Sequence, residues 1–329
     1  MEQKRIGLLG LLIGILASCQ SLVQEVSLDD LPKSEAKLVM TGFICPQDTT
    51  IWVKLTESSP LFGEYKRRQT ITIIGQDTLY SGESDTVPDA LVTISDGSKT
   101  AQLTYDKTNE LYSLPTTKFK IEAGKTYTLN SKTTNKQVSA SCQVPSETVS
   151  LKTYSTDTTT ATNLRNGQTK AITTTASWDD LKGKTNYYRI MGEVEIELLE
   201  PVSDKQKGVV YNTERRYLAF NWGNDAEAGY LSDIGLDGAT FKSPQGKATY
   251  NVNTITVANK KYSTQQSSRP MVIRLDLLNV DYNYYQYLLS VRRQRRNNPF
   301  VEPSFVYSNV QGGLGCFAAY NRTRTEIKR

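Results

Sequence analysis

The chain of 329 residues contains no histidine at all. That absence removes the commonest general base, the commonest zinc or haem ligand and every histidine-dependent triad, and it argues against an enzyme. Cysteine is scarce, with four residues, Cys19, Cys45, Cys142 and Cys316. They are widely separated and have no histidine partners, so no metal site and no cofactor is expected. Long apolar runs are missing beyond residue 16, and nothing later in the sequence is apolar enough to cross a membrane. A strong charge excess is also missing. The net charge of +5 is too small to point to nucleic acid.

What is present is tyrosine and threonine. The 19 tyrosines outnumber the eight phenylalanines and three tryptophans together, a composition suited to β-sheet. Short alternating segments recur from residue 37 onward: KLVMTGFI (37–44), IWVKL (51–55), ALVTIS (90–95), LYSL (111–114), KFKI (118–121), YTLN (127–130) and QVSASCQV (137–144). Asp96-Gly97 is a strong hairpin turn between two of them. About seven short strands in about 110 residues predict an antiparallel sandwich of immunoglobulin or transthyretin type over residues 37–147. Residues 148–329 read as a second β-rich, sandwich-like domain. It opens with a threonine-rich stretch and includes alternating segments at 186–199 and 271–278. The expected fold class is therefore all-β, two antiparallel domains, with one helix in the second. That helix is expected at about 281–296, capped by Asp281 and ended by Asn298-Pro299. Its tyrosines, Tyr284 and Tyr287, and its basic end, Arg292, Arg293, Arg295 and Arg296, form a candidate binding surface set against the plainer roles of core packing and a solvated helix end.

The first residues are built differently. Lys4 and Arg5 precede an apolar run over residues 6–16, and Ala17-Ser18 lead into Cys19. This is the layout of a cleaved export signal rather than a membrane helix. The segment Leu16-Ala17-Ser18-Cys19 resembles the lipobox of bacterial lipoproteins, which implies acyl chains on Cys19 and a membrane anchor there. Residues 1–18 are then a signal peptide and 19–36 a polar tether, and their removal takes the net charge to +4, since Glu2, Lys4 and Arg5 leave. With Cys19 lipidated, Cys45 and Cys142 are the candidate disulfide pair, worth about 4–5 kcal/mol in the chain-entropy model. Cys316, in an apolar strand, reads as a small buried hydrophobe.

Several motifs occur together: Gly42-Phe43-Ile44-Cys45-Pro46, Gly124-Lys125-Thr126-Tyr127, Trp178-Asp179-Asp180 with Asn186-Tyr187-Tyr188, and NPFVEP (298–303) followed by SNVQGGLG (308–315). Their order resembles the outer-membrane lipoproteins of Bacteroidota built from the domain of unknown function 4249 (DUF4249). The resemblance implies a non-catalytic accessory or ligand-capture subunit beside a TonB-dependent receptor, with a peptide, glycan or metal chelate as cargo. It implies the outer membrane as the location, on the periplasmic or the cell-surface face. The alternative is a fimbrillin-like adhesin, weakened by the lack of any arginine between Cys19 and Arg67. Residues 233–238 (DIGLDG) suggest a calcium loop but lack the third and fourth acidic ligands in sequence, so a plain turn is expected.

Overall fold

The computed structural model describes residues 35–58, 70–74, 77–81, 86–162, 168–223, 229–252, 254–257, 260–263, 269–294 and 305–328. Cys19 and the signal segment, as well as Arg295, Arg296 and the whole of NPFVEP, lie outside them.

The first ten strands are β1 (Leu38–Ile44), β2 (Thr50–Glu57), β3 (Thr70–Ile74), β4 (Asp77–Ser81), β5 (Leu91–Ser95), β6 (Thr100–Gln102), β7 (Thr104–Asp106), β8 (Leu111–Pro115), β9 (Thr126–Lys132) and β10 (Gln137–Gln143). The second half carries β11 (Thr153–Thr162), β12 (Gln168–Asp179), β13 (Tyr187–Asp204), β14 (Gly208–Ala219), β15 (Tyr230–Ser232), β16 (Thr240–Lys242) and β17 (Gly246–Val252). Then come β18 (Thr254–Val257), β19 (Lys260–Ser263), β20 (Arg269–Val280), the helix α1 (Tyr282–Gln294) and β21 (Leu314–Lys328). The all-β class holds, with α1 the one helix among the described residues.

One large sheet organises the molecule, in the order β14-β13-β20-β21-β1-β2-β8-β7, with β15 paired to β13. Its middle strand is the last of the chain. The first half of β21 runs parallel to β1, from Val39 opposite Leu314 to Ile44 opposite Ala319. Its second half is antiparallel to β20, from Val280 opposite Tyr320 to Val272 opposite Lys328. The two halves of the sequence therefore share a strand, and the first core contains Val310, Phe317 and Ala319 from the C-terminal segment. Glycine makes the parallel pairing possible. A Cβ on Gly313 would strike the Leu38 carbonyl oxygen, and Gly315 has φ +107° beside the Met40 carbonyl.

Alternation along the large sheet sends side chains to two opposite faces. On one face, Met40, Ile44, Val53 and Phe317 pack against Val92, Ile94, Leu129 and Ala140 of the β10-β9-β5-β6 sheet. Further along that face, Tyr188, Ile190, Ile273 and Leu275 pack against Ile172 and Trp178 of β12. On the opposite face, Phe43, Cys45, Leu278, Cys316 and Ala318 meet Tyr284 and Leu288 of α1.

This two-faced arrangement corrects the expected disulfide. Cys45 belongs to the cluster under the helix, whereas Cys142 belongs to the first sandwich core on the other side of the sheet. Cys45, Cys142 and Cys316 are all free and buried. Burial pushes the Cys45 thiol up to about 12, so it is unreactive as a nucleophile. Two local expectations also change. Residues 118–121 are not a strand; they form a loop whose Phe119 and Ile121 still plug the core. The threonine-rich stretch forms the β11–β12 hairpin.

Candidate functional site

Where the two sandwiches meet, a cleft of about 450 Å³ opens between the 143–146 connection, the start of β13 and the junction of β20 with α1. Its wall carries Gln143, Ser146, Lys184, Asn186, Tyr187, Asn279, Asp281, Tyr282 and Asn283. The aromatic side is a chain of rings. Tyr187 lies 5.8 Å from Tyr282 and 4.8 Å from Tyr285, and Tyr282 lies edge-on to Tyr307 at 6.0 Å. Tyr282 is 50% exposed although it opens a helix, which leaves its ring free to meet a ligand.

The polar side is held in place by bonds to both halves. Asn279 donates to the Glu147 carbonyl at 3.0 Å, and Lys184 bonds Glu147 Oε1 at 2.7 Å. The Tyr307 hydroxyl donates to Asn283 Oδ1 at 2.7 Å, and Asn283 donates in turn to the Ser141 carbonyl at 3.5 Å. Asn186 is buried and structural; its amide donates to the carbonyls of Leu181 and Lys184 at 2.7 and 2.9 Å.

Asp281 caps α1 as expected, accepting from Tyr284 N at 2.7 Å through Oδ1. Its Oδ2 is buried without a hydrogen-bond partner. Burial raises this carboxyl to about 7, against the pull of the Tyr284 N–H. It is the single carboxylate among the described residues of the cleft wall. A pair of carboxylates for acid–base work is therefore not assembled there.

The predicted binding surface divides. Tyr284 is 2% exposed and packs edge-on to Phe43 at 5.1 Å, and Tyr287 lies against the same ring at 6.2 Å, so both belong to the core. The helix turns its Tyr284, Leu288 and Leu289 face inward, which leaves Tyr282 rather than Tyr284 at the surface. Arg292 reaches over the Tyr230 ring at 5.6 Å, and Arg293 is exposed.

A second constellation was also only half visible in sequence. Asp180, Asp233 and Asp237 each bring a carboxylate oxygen to within 4.8 Å of the others, so Asp180 supplies one of the acids that the 233–238 loop lacks. These carboxylates are occupied in tying loops together. Asp180 accepts from the Tyr188 hydroxyl at 2.6 Å and from Gly238 N at 2.7 Å, and Asp233 accepts from Asn186 N at 2.8 Å.

A family described as "Domain of unknown function (DUF4249)" matches residues 24–326, almost the whole of this layout. The chain belongs to the DUF4249 family. No curated protein matches it. The DUF4249 match spans both sandwiches, the cleft and the shared last strand, so the cleft is part of the family region and not an appendage to it.

Proposed function

We propose that this DUF4249 protein is a lipid-anchored, non-catalytic binding protein of the Bacteroidota cell envelope, tethered through acyl chains on Cys19. Its cleft captures a ligand, a glycan or a peptide, and presents it to a TonB-dependent receptor in the outer membrane. The observation that carries this reading is the pairing of Tyr187 and Tyr282 rings with a rim of amides and one lysine. Aromatic faces stack on sugar rings or peptide side chains, and convergent polar groups fix their orientation. The lipobox-like Leu16-Ala17-Ser18-Cys19 supports the anchor.

Two measurements test the reading. In cells fed a labelled fatty acid, the protein acquires label and fractionates with membranes, and Cys19→Ser abolishes both. On glycan and peptide arrays the mature protein binds a defined class, and Tyr282→Ala weakens that binding roughly tenfold. An unlabelled, soluble wild-type protein contradicts the anchor, and arrays with no hit contradict the capture role.

A further inference from the structure

The cleft wall offers a ligand little charge. Lys184 and Asp281 are its charged side chains among the described residues, and both are committed. Lys184 Nζ lies 2.7 Å from Glu147 Oε1 and donates to Ser146 Oγ at 3.3 Å. A ligand carboxylate reaching for this lysine would meet the Glu147 carboxylate beside it. Asp281 spends Oδ1 on the Tyr284 N–H, and its Oδ2 is buried. An ionic ligand would therefore lose water without gaining a counter-ion of its own. The cleft also lacks an aliphatic pocket. Its two valines, Val144 and Val280, are 1% and 2% exposed and present almost no surface. The largest apolar surface it presents is the ring of Tyr282, with half-buried Tyr187 and Pro145 beside it. Amides and hydroxyls surround these rings. Gln143, Ser146 and Thr185 are exposed. Gln143 and Asn283 each donate a side-chain N–H to a carbonyl, of Gly124 at 3.3 Å and of Ser141 at 3.5 Å. Groups held in this way lose little freedom when a ligand arrives.

We propose, resting on the reading of the cleft as a capture site, that its ligand is an uncharged carbohydrate, a short segment of glycan chain, in preference to a peptide or a charged sugar. A sugar ring has an apolar C–H face that covers an aromatic ring, and hydroxyls that both donate and accept, as side-chain amides do. A peptide brings aliphatic or ionic side chains, for which the described wall has neither a pocket nor a spare counter-charge. The volume of about 450 Å³ lies within the usual span of small-ligand sites and accommodates such a segment.

Isothermal titration of the full mature chain tests this with three sets of probes. The first is the neutral trisaccharides of glucose, mannose, galactose, xylose and N-acetylglucosamine. The second is their charged counterparts, trigalacturonate and the glucosamine trimer, and the third is tripeptides blocked at both ends. Saturable binding is expected with at least one neutral trisaccharide, about tenfold tighter than with any charged or peptide probe. Added salt leaves it unchanged, because no ion pair forms. Tyr282→Ala weakens it roughly tenfold, whereas Tyr282→Phe, which keeps the ring, holds it within about twofold. Tyr154→Ala, at an exposed tyrosine of β11, leaves it unchanged. Equal or tighter binding of a charged sugar or a peptide, lost in Tyr282→Ala, leaves the capture reading standing and overturns this inference. Neutral-sugar binding that is the same in Tyr282→Ala overturns the assigned site. A chain that binds no probe of any set overturns the inference and the capture reading together.

Discussion

The first sandwich and the second solve the burial problem in different ways. Between β1 and β10 the interior is almost wholly apolar, and the buried polar side chains are few: Thr41, Lys54, Thr56 and Ser131. The second half buries Asp180, Asn186, Arg189, Glu195, Asp233, Asp276 and Asn279, with Asn321 of the shared strand beside them. Each of these costs desolvation unless it is paired or hydrogen-bonded, and the pairing is specific. Arg324 grips Asp276 through two bonds of 2.8 Å, and Arg274 reaches Glu193, Glu195 and Glu326 at 3.0–3.4 Å. The first half is thus a packed scaffold. The polar wiring, and most of the wall of the cleft, belong to the second half.

If that contrast is right, the largest loss comes from a residue that belongs to one half in sequence and to the other in packing. Phe317→Ala should cost about 3–5 kcal/mol in urea unfolding, because the emptied volume lies in the first core. Arg324→Met should cost about 3–5 kcal/mol by leaving the Asp276 carboxylate, 1% exposed, without its bidentate partner. A cost below about 1 kcal/mol in that second variant would mean that the wiring does not set the second half apart.

A smaller effect is expected at the seam. The Asp281 carboxyl has a folded value of about 7 against an ordinary 3.8, so between these values the folded state holds a proton that the unfolded chain has released. Stability should therefore fall as pH rises from about 4 to about 7 and then level, by about 2–4 kcal/mol from this group. Asp281→Asn still caps the helix and should flatten that part of the profile. Melting curves across the range check both. The smallest effect belongs to Tyr282→Ala. Half-exposed and outside the cores, it should change stability by less than about 0.5 kcal/mol while it weakens ligand binding.

The parts of this architecture that were legible in sequence were those with a local cause. The helix follows from an Asp cap and a 3.6-residue apolar spacing, β5, β9 and β10 from strict alternation, and β1 and β2 from short runs rich in apolar residues. KFKI misled because Phe119 and Ile121 alternate as a strand would, yet they reach the core from a loop. The β11–β12 hairpin was obscure because threonine fills both of its faces and β11 is largely exposed. At the site, Tyr284 and Tyr282 are chemically alike, and only the rotation of the helix against Phe43 decides which is buried. Asp180 meets Gly238 from 58 residues away, a distance over which no local pattern carries information. Cys45 and Cys142 looked like partners because they belong to the first and last strands of the expected first sandwich, yet Cys45 packs under the helix and Cys142, on β10, packs in the sandwich core.

The shared strand makes the cleft a fixed feature, since its walls come from both sandwiches and β21 bonds to each. Variants that keep a single tryptophan measure this directly, with Trp52 reporting the first half and Trp178 the second during unfolding in urea. One coincident transition for both probes is predicted. Two transitions separated by more than the error in their midpoints would show independent halves and contradict a cleft built across a common sheet.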